Sequence, residues 1–168
     1  MVKSTMSRRG FLALASLMGT VPQGAWAEDF VDLEWEDLLP AGQRSLPNAL
    51  RGLVQHDEAG LASSQPASTG VRTDWNGMIV RLPGFIVPIE YDGTGVTSFI
   101  LVPYVGACVH VPPPPANQLV FVTTPKPYES KGLFEPVNVI GMFGTASTRT
   151  QLADIGYALS ADRIEPYT

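Results

Sequence analysis

The sequence predicts a mainly β protein: a small five-stranded OB-like barrel with an N-terminal arm and one short helix. Three observations point there. Fifteen prolines and sixteen glycines in 168 residues argue against an all-helical chain and for strands joined by turns. From Trp75 onward, runs rich in Val, Ile, Leu and Phe alternate with turn-forming residues. The longest run carries Pro83-Gly84 in its middle, which marks a strand that bends. A bent first strand followed by four more suits a small closed Greek-key barrel.

Each element follows from its residues. Met78–Glu90 is the long bent strand, and Asp92-Gly93-Thr94-Gly95 turns the chain back. Thr97–Val102, Gln118–Thr124 and Val137–Thr145 are strands two to four, and Tyr157–Ile164 is the fifth. An OB-type barrel usually has a helix between strands three and four. Here that stretch is Pro125–Pro136, short and bounded by proline. Thr150–Ile155, closed by Gly156, is the clearer helical turn.

Residues 28–74 read as an arm and linker in front of a barrel domain at 75–168. Trp35, Leu38 and Leu39 stand among acidic residues and would pin the arm to the barrel. Leu46–Val54 has weak helical spacing, and the Ala/Ser/Gly/Pro-rich stretch 59–70 reads as a flexible connection. The carboxylates of Glu34, Glu36 and Asp37 suit a solvated face better than an acid/base pair.

The first 27 residues read as an export signal. Lys3, Arg8 and Arg9 precede the apolar run Phe11–Met18, and Ala25-Trp26-Ala27 resembles a cleavage site. Ser7-Arg8-Arg9-Gly10-Phe11-Leu12 matches a twin-arginine pattern. A bilayer span needs roughly 20 apolar residues, and this run is shorter. Cleavage after Ala27 would leave a periplasmic protein. The signal holds three of the 11 Lys and Arg and no acid, so 8 cations would remain against 16 acids. No basic cluster remains for nucleic acid or an anionic membrane. Membrane association would run through a partner.

One stretch carries candidate chemistry. Leu101–Gln118 holds the single cysteine, Cys108, and one of two histidines, His110. In extended backbone, residues two apart share a face, so a thiolate and an imidazole would point the same way. Both suit zinc or copper. His56, in His56-Asp57-Glu58, could complete the site from the arm, with Asn117 and Gln118 orienting the ligands from behind. The competing reading is structural: free cysteines are often buried packing groups. A third reading, Cys108 as nucleophile with His110 as base, lacks an orienting group or oxyanion hole. Pro112, Pro113, Pro114 and Pro115 favour polyproline II, either as a docking ligand or as a stiff loop.

Four patterns carry a resemblance: Leu33-x-Trp35-x-Asp37-Leu38-x-Pro40, Pro83-Gly84-Phe85-x-Val87-Pro88, the run Leu101–Gln118, and Asp154-x-Gly156-Tyr157. Over 33–167 the chain resembles a family of exported bacterial proteins known as a domain of unknown function. The Cys-x-His-x-Pro-Pro-Pro-Pro-x-Asn-Gln run is its most specific part. The resemblance implies a periplasmic or lipoprotein location and genes near exporter-type ABC transporters. It implies no catalytic residue. Many relatives look like lipoproteins, whereas no lipid-accepting cysteine lies near Ala27 here.

These readings favour a non-enzymatic periplasmic binding protein with a transition metal, zinc or copper, as candidate ligand at the Cys108/His110 loop. The alternative is an adaptor subunit of an envelope ABC-type transporter. A thiol-dependent enzyme is third.

Overall fold

Closure of the sheet depends on one strand with two neighbours. The computed structural model describes residues 30–42, 65–109 and 113–167. In it β1 is Val31–Asp32 and β2 is Ile79–Asp92. Then come β3 (Gly95–Val102), β4 (Val120–Tyr128), β5 (Pro136–Arg149) and β6 (Asp154–Pro166). The first half of β2 pairs with β5, from Ile79↔Met142 to Phe85↔Pro136. Its second half pairs with β3, from Phe85↔Val102 to Asp92↔Gly95. The strand changes partner at the bend after Pro83-Gly84. Gly84 is needed there, because a Cβ would lie 2.7 Å from Leu101 Cγ and 3.0 Å from the Val102 carbonyl oxygen.

The barrel order is β2-β3-β4-β6-β5, returning to β2. All its pairings are antiparallel except β4–β6, which is parallel from Val120↔Tyr157 to Thr123↔Ser160. This is the strand order of an OB-type barrel, so the mainly β class and the five-stranded barrel hold. The two regular helical pieces among the described residues are 3-10 turns: η1 (Trp35–Leu38) and η2 (Ala116–Gln118). Neither is long and apolar enough to cross a membrane.

The helical turn expected at Thr150–Ile155 is instead the turn of the β5–β6 hairpin. The Thr150 amide donates to the Ala153 carbonyl at 2.9 Å and closes the turn. Its Oγ1 accepts from the amides of Leu152 and Ala153. A threonine hydroxyl that satisfies the turn internally removes the need for a helix.

The barrel interior is apolar. Val80, Leu82, Ile86, Phe99, Leu101, Val122, Phe143 and Tyr157 are buried together. Phe143 and Tyr157 stack with ring centroids 5.1 Å apart. Leu33, Trp35 and Leu38 of the arm belong to the same cluster, so the arm is anchored where the sequence placed its apolar residues. β1 runs parallel to β2 at Val31↔Val80 and Asp32↔Arg81. Asp37 and Glu34 are not merely solvated: the Asp37 carboxylate accepts from the Glu34 amide at 2.8 Å and fixes the start of η1. The weakly helical stretch Leu46–Val54 lies outside the described residues.

Gly141 tests this account of the barrel. A Cβ there would overlap the Ser160 carbonyl oxygen and come within 2.8 Å of Ala161 Cα, at a register shift in the β5–β6 pair. A Cβ at Gly144 in the same strand would make only an ordinary van der Waals contact, with Asn76 Oδ1 at 3.9 Å. Gly141→Ala should cost about 1–3 kcal/mol, read as a fall in denaturation midpoint. Gly144→Ala should stay within about 0.5 kcal/mol of the native protein. Equal effects would contradict the packing at Gly141.

Candidate functional site

β3 and β5 run in the same direction, so the β3–β4 and β5–β6 connections leave one end of the barrel. The β3–β4 connection, residues 103–119, carries the sequence motif. At its centre the chain turns sharply: Gly106 has φ 93° and Cys108 has φ 66°. The Val109 amide donates to the Gly106 carbonyl at 3.3 Å. Cys108 is therefore in a left-handed turn, not in extended backbone, and the alternation argument for a shared face with His110 does not apply. A side-chain-bearing residue in that region costs of order 1 kcal/mol or more and is held by its surroundings.

Those surroundings include a buried hydrophobic cluster. Cys108 is fully buried among Val87, Ile100, Val102, Ala107, Leu119, Ala153 and Ile155. Burial pushes its thiol up to about 12. Metals and electrophiles react with the thiolate, so this environment favours neither. His110, His56 and Pro112 lie outside the described residues. Among the described residues no group of three or more His, Cys, Asp or Glu could hold a metal ion.

The rest of the motif is a clamp. Pro113 and Pro114 are buried, as suits a stiff loop rather than a presented ligand. The Gln118 amide donates at 2.8 Å to the Trp35 carbonyl and at 3.1 Å to the Asn117 carbonyl. Asn117 Nδ2 donates to the Gly70 carbonyl at 2.8 Å and to Thr69 Oγ1 at 3.4 Å. Its Oδ1 is buried without a partner. Both side chains thus hold the N-terminal segments against the barrel.

Two residues outside the motif complete the clamp. Tyr157 donates its hydroxyl to the Leu38 carbonyl at 2.7 Å and accepts from the Arg72 amide at 2.7 Å. Burial raises its hydroxyl above the usual tyrosine value. Gln65 Nε2 donates at 2.8 Å to the carbonyls of both Pro114 and Asp154, and its Oε1 accepts from the Asp154 amide. The flexible connection expected over 59–70 therefore ends before Gln65, while 59–64 lies outside the described residues. Sequence reasoning gave neither residue a role. Tyr157 was signalled only by its place in the Asp154-x-Gly156-Tyr157 pattern.

Around Cys108 the apolar cluster continues onto the outside of the barrel. Phe85, Ile89, Tyr104, Val109, Phe121, Phe134 and Leu152 pack against it and remain half-buried. Ile100 and Val102 face this side of β3, whereas Val96, Phe99 and Leu101 belong to the interior cluster. Glu135 lies beside Phe134 but turns away: its carboxylate accepts from Tyr128 Oη, Ser130 Oγ and the Lys131 amide.

A family model described as a protein of unknown function, DUF3299, matches residues 35–166, which takes in the clamp, the Cys108 turn and all five barrel strands. The chain belongs to the DUF3299 family. It is similar to the crystal structure of a DUF3299 family protein from Pseudomonas aeruginosa PAO1. The two are 39% identical with a TM-score of 0.71, over 83% of this chain and 97% of that one. No curated protein matches. The family match bears out the resemblance to a domain of unknown function and assigns no activity.

The buried thiol has a pH signature. Its folded pKa, about 12, lies above the unfolded value near 8.5. The unfolded chain therefore loses this proton first. The stabilisation is complete below about pH 8.5 and falls as pH rises towards 12. Between pH 8 and 10 the denaturation midpoint should fall more in the native protein than in Cys108→Ala. At neutral pH, Ellman's reagent should label Cys108 only after denaturation. Rapid labelling of the folded protein at pH 7 would contradict this environment.

Proposed function

We propose that this DUF3299 protein is a non-enzymatic binding module of the bacterial envelope, and that its ligand is a partner protein. The supporting observation is the apolar patch on the outer face of β2, β3 and β4, where half-buried aromatic and aliphatic side chains surround the Cys108 turn. Barrels of the OB type bind oligonucleotides and oligosaccharides on the face of the second and third strands, here β3 and β4, so this face is a known docking position of the fold. Aromatic residues are enriched in the core of a protein interface. The acidic balance of the chain, 16 Asp and Glu against 11 Lys and Arg, disfavours nucleic acid as the ligand.

The reading includes export by the twin-arginine-like signal at 1–27, cleavage after Ala27 and a periplasmic location. The partner class is an envelope transporter complex of the exporter ABC type, with membrane association only through that partner. Zinc or copper at Cys108, His110 and His56 is the second reading. It rests on the Cys-x-His spacing in the sequence. The protonated, apolar setting of that thiol weighs against it.

Site-specific photo-crosslinking in cells separates these readings. A photoreactive phenylalanine analogue at Phe121 or Phe85 should give one discrete adduct with an envelope protein. The same analogue at Met142, exposed on β5 away from this cluster, should not. Adducts at all three positions, or at none, would remove the docking reading. Stoichiometric zinc or copper in tag-free native protein, lost in Cys108→Ser, would establish the metal reading in its place.

A further inference from the structure

We infer that the groove receiving Phe30–Gly42 is a peptide-binding site, and that its second occupant is the same segment of another copy of this chain. The groove reads a Trp-x-x-Leu segment, folded as the 3-10 turn η1, in two ways. Trp35 and Leu38 insert into the interior cluster. The remaining contacts are directed almost wholly at backbone. Gln118 donates to the Trp35 carbonyl, Tyr157 donates to the Leu38 carbonyl, and the Leu33 amide donates to the Arg81 carbonyl at 2.9 Å. β1 adds a parallel pair on the free edge of β2. Trp35 Nε1 also donates to the Pro83 carbonyl at 2.8 Å. This is how peptide-recognition sites work: main-chain hydrogen bonds supply affinity and side-chain pockets supply selectivity.

None of these contacts depends on the covalent link between segment and groove. Gly42 and Gln65 are joined by residues 43–64, 22 residues in all. A connection of that length can span up to about 70 Å, more than the roughly 30 Å width of a domain this size. A neighbouring copy's groove is therefore within reach. The contacts made in cis and in trans are identical, so local protein concentration decides between them. A tether of this length gives the arm an effective concentration of order millimolar, and exchange becomes populated as copies approach that concentration. Such exchange yields a closed two-fold dimer with no new interface chemistry.

The Asp32–Arg81 pair offers a trap, since these residues are register partners and form an ion pair across the groove. Two full-length chains in a Cys108→Ser background would be mixed at about 1 mM and oxidised. One carries Asp32→Cys and the other Arg81→Cys. Arm exchange predicts a disulfide-linked heterodimer at least about tenfold above the two homodimers combined. The enrichment should vanish when the Asp32→Cys chain also carries Trp35→Ala and Leu38→Ala. A heterodimer yield at the random-collision ratio would overturn the proposal. So would enrichment that survives loss of both anchors. The receiving chain keeps its native arm, so the result does not rest on a variant that fails to fold.

Discussion

Two buried hydrogen bonds govern how this chain is assembled: Gln118 to the Trp35 carbonyl and Tyr157 to the Leu38 carbonyl. Each joins residues far apart in sequence, the second across 119 positions. The donors belong to η2 and β6, beside the parallel β4–β6 pair. The arm packs beside this pair, with Trp35 and Leu38 buried in the interior cluster. Burying those side chains forces the adjoining carbonyls out of water. A buried acceptor left unsatisfied costs about 1–3 kcal/mol. The glutamine and the tyrosine are what make the apolar anchoring tolerable.

Seen this way, the motif run has two structural tasks. Its proline-rich second half is a stiff backbone from which Asn117 and Gln118 reach the N-terminal segments. Its first half folds the Cys108 turn onto the outside of the sheet and roofs Ile100 and Val102. The polar half faces the arm, and the apolar half faces outward with Tyr104 and Val109 half-buried. That division supports a binding role on the outer face. A face formed only to support the fold would have less reason to leave four aromatic residues, Phe85, Tyr104, Phe121 and Phe134, partly exposed.

Much of the fold was legible because strand periodicity and turn residues are local signals. The five barrel strands fall where the apolar runs lie, within a few residues at each end, and Pro83-Gly84 marks the bend that closes the barrel. Trp35, Leu38 and Leu39 were identifiable as anchors because they are apolar residues isolated among acids. The errors came where a side chain satisfies backbone that composition alone treats as free. Thr150 completes a hairpin turn that reads as a helix, and Gln65 fixes the end of a stretch that reads as flexible. The Cys108 geometry was illegible for another reason. The i, i+2 rule assumes extended backbone, and the left-handed turn at Cys108 has no signal beyond Gly106 nearby. The partners of Asn117 and Gln118 lie 47 and 83 residues away, a separation that no local pattern reports.

The central claim is that the motif's polar residues hold the arm as a unit separable from the barrel. Hydrogen exchange read by mass spectrometry in Gln118→Ala tests it most directly. Loss of one buried donor should open the arm by at least about tenfold, the equivalent of roughly 1.4 kcal/mol. Faster exchange should appear at the amides of Leu33, Asp37 and Leu39 and at Arg72, while the β2–β3 ladder keeps its native protection. Unchanged exchange in the arm, or equal loss across arm and barrel, would contradict the account.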